Sequence, residues 1–218
     1  MKALDIIDHT LVPIAEDKQV RDILIHSEDH LWKHVVIQNQ SQEFIGIVFS
    51  DDLLEFDEDT LISELPKYLF NQTHIQDEAN IFEALQHISA QSFQCIPVIS
   101  NGLVLGIISI ESLVKKLGSL FGAQDPGAII VLKMAKIDYS LQQISRIIES
   151  EDAKILSLCI EQATEAQSIL VMLKLNTFSI DRIIEILIVH HYEVFSFYSE
   201  EESLYKARYD ALWHYLNV

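Results

Sequence analysis

The residues best suited to chemistry in this sequence are its histidines, its carboxylates and its two cysteines. His26, His30 and His34 stand four apart, and on one continuous helix three such imidazoles would form a metal-binding face. The apolar pattern instead opens a strand at His34, so one helix cannot present all three and no metal is expected. His190 and His191 end a helical stripe, where a cationic side chain complements the helix dipole. Asp51, Asp52, Glu55, Asp57, Glu58 and Asp59 follow one another with no Lys or Arg between them. Such a run repels polyphosphate, and it also reads as a helix cap followed by a solvated face. Nothing marks any pair of the 33 carboxylates as a general acid and base in an apolar pocket. Cys95 and Cys159 each sit inside an apolar, strand-like run, the setting of reduced buried thiols. The sequence contains no glycine-rich phosphate loop, nucleophile elbow or paired-cysteine metal spacing, so a protein that is not an enzyme is expected.

The background to these residues is acidic: 33 Asp and Glu against 15 Lys and Arg, a formal net charge of −18 over 218 residues. Both halves share the bias, which argues against nucleic acid and against the anionic leaflet of a membrane as partners. Apolar residues make up 49% of the chain, enough for a real core. The most apolar strand-like stretch, Ala128 to Met134, already contains Lys133 and is far too short to span a bilayer. The opening Met1-Lys2-Ala3-Leu4-Asp5-Ile6-Ile7-Asp8 has no uninterrupted apolar core of a secretion signal, so a cytoplasmic protein is expected.

The elements that must position these groups are legible as a repeat. Ile14-Ala15-Glu16-Asp17 aligns with Ile75-Gln76-Asp77-Glu78, and in that register Val20 meets Ile81, Leu24 meets Leu85, Val35 meets Ile96 and Ile37 meets Val98. After a one-residue deletion in a turn, Gly46-Ile47-Val48 falls on Gly106-Ile107-Ile108 and Leu53 on Leu113. Each copy reads as a short strand, a helix, a strand pair and a further helix, opened by Ser50 or Asp51 in the first copy and by Glu111 or Ser112 in the second. The hairpin turn is Asn39-Gln40-Ser41-Gln42 in one copy and Asn101-Gly102 in the other. A single unit leaves an apolar sheet face bare, so the two are expected to pack across a pseudo-twofold axis, forming one domain over residues 1–120 (copies 1–60 and 61–120).

The Cys95-Ile96-Pro97-Val98-Ile99 strand and Gly106-Ile107-Ile108-Ser109-Ile110-Glu111-Ser112-Leu113 closely resemble the CBS motif. The resemblance implies a paired module, often dimeric, that binds adenosine-containing ligands in clefts between motifs. It also implies which residues would face those clefts: a hydroxyl residue at the strand end and an Asp three positions later, which accepts hydrogen bonds from ribose. In the first copy Asp52 holds the Asp position while Phe49 replaces the hydroxyl. In the second, Ser109 supplies the hydroxyl while Ser112 replaces the Asp. With Pro97 these form the implied ligand set. Adenosine, AMP or S-adenosylmethionine is the expected effector class, and the acidic run makes ATP the poorer candidate.

Gly118 to Gly127 carries three glycines and a proline, and the second half begins beyond it. A strand (Ala128 to Met134) precedes a helix with Leu141, Ile144, Ile147 and Ile148 on one stripe. Two strands follow, one with Leu156, Leu158 and Ile160, the other with Ile169, Val171, Leu173 and Leu175. A helix (Ile183, Ile184, Leu187, Ile188) and a strand with Phe195 and Phe197 complete the order βαββαβ. Asp138 or Ser140 is expected to cap the first helix and Ser179 the second. That order after a CBS pair resembles an ACT domain, here residues 121–202, and the combination resembles the acetoin-utilisation-type CBS–ACT family. In amino-acid-binding ACT domains the loop after the first strand carries an Asp and a Gly; here Asp138 is present, the Gly is absent and Tyr139 crowds the approach. Residues 203–218 read as a final amphipathic helix.

The expected fold is therefore α+β: tandem CBS motifs, a ferredoxin-like ACT-like domain and a C-terminal helix. The expected function is non-enzymatic regulation, with homodimers formed through the paired motifs or the ACT-like sheet and an unidentified regulated protein as partner. The alternative is a purely structural dimerisation module with vestigial clefts.

Overall fold

The computed structural model describes residues 2–30, 32–91, 93–165 and 167–199. The chain divides into two compact units, Met1–Lys116 and Leu117–Val218. The C-terminal helix expected over residues 203–218 lies outside the described residues.

The first unit is two copies of one design. In the first, β1 (Ile14–Ala15) pairs parallel with β2 (His34–Gln38), which pairs antiparallel with β3 (Phe44–Phe49), and α1 (Val20–His30) links β1 to β2. In the second, β4 (Ile75–Gln76), α2 (Ile81–Gln91), β5 (Cys95–Ser100) and β6 (Leu103–Ser109) repeat the arrangement. The registers correspond residue for residue: Val36 faces Ile47 as Pro97 faces Ile107, and both isoleucines are buried. A local dyad is written in the hydrogen bonds. Phe44 N donates to Gly102 O, and the equivalent Val104 N donates to Gln42 O, both at 2.9 Å.

Each copy also lends a strap to the other. The segment ahead of β1 runs along β6, with Asp8 N donating to Ile107 O at 2.8 Å, while the segment ahead of β4 runs along β3, with Ile47 and Asn71 exchanging backbone bonds. Gly46 and Gly106 make room for these crossings. A Cβ on Gly46 would lie 2.6 Å from the Cβ of Phe70, and one on Gly106 would lie 2.5 Å from Cγ2 of Ile7. The turns match expectation, with positive φ at Gln42 in the first copy and at Asn101 and Gly102 in the second.

One element departs from the expected repeat. The second copy ends in α3 (Ile110–Leu120), but Ser50–Leu53 is a single 3-10 turn where a helix was expected. Like charges stand at i, i+4 in the first copy (Asp51 with Glu55, Glu55 with Asp59), whereas Glu111 and Lys115 form a 2.7 Å ion pair at that spacing in α3.

At the seam between the copies His34 is 6% exposed and lies against Phe49 and Phe93, with ring centroids 4.6 and 5.3 Å away. Gln94 N donates to its Nδ1 at 3.4 Å. Burial holds its pKa below the ordinary 6.5, opposed by the Gln94 side chain and the Asp51 charge and helped by the Lys33 charge. The folded state therefore resists a proton that the unfolded chain accepts, and stability should fall as pH drops below about 6.5. Urea midpoints from pH 7 to 5 should decline less for His34→Phe than for the wild type; parallel declines would refute this.

The second unit is β7 (Ile129–Ala135), α4 (Leu141–Ser150), β8 (Ile155–Gln162), β9 (Ser168–Leu175), α5 (Asp181–Val189) and β10 (Glu193–Tyr198). Its antiparallel sheet runs β10-β7-β9-β8, the ferredoxin-like order in which each helical crossover skips one strand. Ile130, Leu132, Val171, Leu173 and Leu175 bury one sheet face against Ile144, Ile147 and Ile148 of α4 and Ile183 and Leu187 of α5. Strand alternation puts Val131, Leu170 and Met172 on the opposite face, where Met172 is 43% exposed. Ser140 caps α4, its Oγ accepting from Gln143 N at 3.4 Å, whereas Asp138 does not. Ser179 does not cap α5: it sits in a turn, its N–H donating to Thr177 Oγ1, and Ile180 occupies the cap position.

Candidate functional site

The groups singled out in the first unit are dispersed and largely engaged. Ser109 is fully buried at the end of β6, where its hydroxyl donates to Asp8 Oδ2 at 2.9 Å and accepts from Ser112 N at 2.9 Å. The Ser112 hydroxyl reciprocates, accepting from Ser109 N and donating to Ser109 O, so the pair closes the start of α3. Phe49 completes the aromatic cluster around His34. Asp52 is exposed on the 3-10 turn, and Pro97 is buried in β5 opposite Ile107. Cys95 begins β5, and burial pushes its thiol up to about 12, leaving it protonated and unreactive at neutral pH. His26 lies on α1 and His34 on β2, which separates them onto different elements.

Asp8 is the member of this hydrogen-bond network that reading the sequence missed. The Thr10 hydroxyl donates to Asp8 Oδ1 and the Ser109 hydroxyl to Oδ2, and these bonds hold the carboxyl below the usual carboxylate range. A carboxylate thus reaches the Ser109 hydroxyl in the copy whose own Asp position is serine, from a residue 101 positions away. Its dyad mate is Asn71, whose Oδ1 accepts from Thr73 N as Asp8 Oδ1 accepts from Thr10 N. The signal was the shared Asp-x-Thr and Asn-x-Thr spacing, which lies just ahead of the aligned region.

Thr10 connects this network to a cleft of about 500 Å³, lined also by Val12, Pro13, Ile14, Ala15, Lys18, Asp22 and His26. Its volume suits a nucleoside-sized molecule. The walls are the extended, apolar approach to β1 and the polar face of α1. Lys18 and Asp22 give the rim one charge of each sign, a poor match to a polyphosphate. Ser112 lines a separate, smaller hollow of about 280 Å³ with Ile7 and Lys116. In the second unit, Asp138 is exposed on a 3-10 turn (Lys136–Asp138), and Tyr139 packs against the core.

Residues 71–119 match the CBS domain family. Solved structures similar to this chain include a CBS domain pair/ACT domain protein from Thermotoga maritima, 20% identical over 55% of this chain and 98% of that one, with a TM-score of 0.49. A protein described as an acetoin utilization protein (AcuB) from Vibrio cholerae is 23% identical over 57% of this chain and 95% of that one, TM-score 0.46. The CBS domains of a transcriptional regulator from Streptococcus pneumoniae are 20% identical over 53% and 98%, TM-score 0.46.

Proposed function

From a chain that carries a CBS domain at residues 71–119, preceded by a second copy of the same design, we propose a regulatory protein whose paired motifs bind an adenosyl ligand in the Thr10–His26 cleft. The observation that carries this reading is the cleft itself: nucleoside-sized, apolar along Val12 to Ala15, and walled by a strap that both copies hold in place. A ligand there would couple the copies, because moving the strap disturbs Asp8 and with it Ser109 of the other motif. The mixed Lys18 and Asp22 rim favours adenosine or S-adenosylmethionine over ATP.

The protein works as a homodimer in this reading. Exposed Phe82, Val114 and Ile25 on the helices of the first unit, and exposed Ile160, Met172 and Phe195 on the strands of the second, supply surfaces that a second copy would cover. Light scattering of the purified chain should give twice the 25.0 kDa monomer mass.

A second reading, a structural module with vestigial clefts, has its own support: the Ser109 and Ser112 hydroxyls are satisfied internally, and Phe49 packs against the His34 and Phe93 rings. Calorimetric titration separates the two. Adenosine or S-adenosylmethionine should bind at least about tenfold more tightly than ATP, and Ala15→Trp, which fills the cleft, should abolish binding. Absence of binding by all of them leaves the structural reading.

A further inference from the structure

The helical side of the second unit holds a groove of about 650 Å³ that no part of the regulatory reading uses. Its floor is Ile147 of α4 and Ile186 of α5, and its walls carry Gln143 and Arg146 from α4 and His190 and Tyr192 from the end of α5. The volume lies within the usual range for small-molecule sites.

Its charge is unlike the rest of the molecule. In a chain with 33 acidic residues, none of the described residues lining the groove is a carboxylate. At the C-terminal end of α4, Glu149 pairs with Lys154 and Glu151 with Arg182. Of the three arginines among the described residues, Arg21 pairs with Asp59 and Arg182 with Glu151, whereas Arg146 enters none of the ion pairs. A guanidinium outside these ion pairs keeps its planar fork of donors for an anion. Tyr192 donates its hydroxyl to Gln143 Oε1 at 3.2 Å, which leaves the Gln143 amide NH2 as a donor. Gln143 and Arg146 are three residues apart on α4 and so share a helix face. Gln143 also lies in the first turn of α4, at the positive end of its dipole.

We propose that this groove binds a small organic monoanion, a carboxylate on a short apolar body. The carboxylate sits on Arg146 and the Gln143 amide, and the body lies on Ile147 and Ile186. One guanidinium matches one negative charge; a dianion would need a second fixed cation, and the described lining offers only a histidine beside it. A free α-amino acid fits poorly, because its ammonium group would find no carboxylate there.

The test uses the full chain with isoleucine methyl and arginine Nε–H labels, followed by NMR during titration with hexanoate, hexanamide and leucine. Hexanoate should shift the Ile147 and Ile186 methyls saturably, and hexanamide and leucine should bind about tenfold more weakly or worse, the effect of one charge-assisted contact. Arg146→Gln should bring hexanoate down to the affinity of hexanamide and leave hexanamide unchanged. Arg146 is exposed, so its replacement leaves the core intact, and Arg146→Lys should retain part of the preference. Equal binding of hexanoate and hexanamide, undiminished binding by Arg146→Gln, or the absence of saturable shifts at these methyls overturns the proposal. None of these outcomes bears on the cleft of the first unit.

Discussion

Gly127→Ala should destabilise the second unit by about 3 kcal/mol or more, the sum of a backbone and a packing penalty. Gly127 enters β7 at φ +146°, a conformation that L side chains rarely adopt, and a Cβ there would lie 1.9 Å from the carbonyl oxygen of Leu175 and 3.3 Å from Thr177 N. Both neighbours are backbone, and both belong to a hydrogen-bonded crossing: Ala128 N donates to Thr177 O, and Leu175 N to Ala128 O, each at 2.8 Å. The alanine cannot be accommodated by turning a side chain; the end of β9 must move, and with it Leu173 and Leu175 in the core. Urea denaturation followed by near-ultraviolet circular dichroism would measure the loss. A variant within about 0.5 kcal/mol of wild type, the ordinary range of surface substitutions, would mean that the β7–β9 register is misplaced.

The second large effect is a contrast between equivalent positions. Gly46→Ala should cost about 2–3 kcal/mol and Gly106→Ala about 1 kcal/mol or less, although the two glycines are related by the dyad. At Gly46 the added methyl meets Phe70 at its Cβ, Cα and carbonyl carbon, 2.6 to 3.1 Å away, and these atoms are tied to β3 by the reciprocal bonds between Ile47 and Asn71. At Gly106 all three nearest atoms belong to the Ile7 side chain, which can change rotamer. Equilibrium unfolding of both variants checks the difference. Equal and small losses would show that the straps do not cross the strands where the dyad requires.

These predictions rest on contacts that reading the sequence reached only in part. The two copies were visible because each apolar position of one has a counterpart in the other: Ile47 and Ile107 occupy equivalent buried places, and Asn101-Gly102 forms its expected turn. The βαββαβ order of the second unit was visible from periodicity instead, since Ile169, Val171, Leu173 and Leu175 alternate without interruption and all are buried. The exchange of straps was not visible. It joins Asp8 to Ser109 and Phe70 to Gly46 through packing that leaves no periodic trace. The surroundings of the implied ligand set were hidden for this reason: a motif pattern names the residue at a strand end, but it cannot show that the Ser109 hydroxyl donates to a carboxylate from another segment. The missing first-copy helix was readable in principle, because its acids stand four apart with no cation to separate them.

Peptide-resolved hydrogen exchange with and without adenosine or S-adenosylmethionine tests the ligand reading most directly, because a ligand held by the folded state slows local opening. The account predicts slower exchange over residues 8–26, with exchange across the β7–β10 sheet unchanged. Unaltered exchange in the first unit at saturating concentrations of both compounds, or protection confined to the second unit, would contradict it.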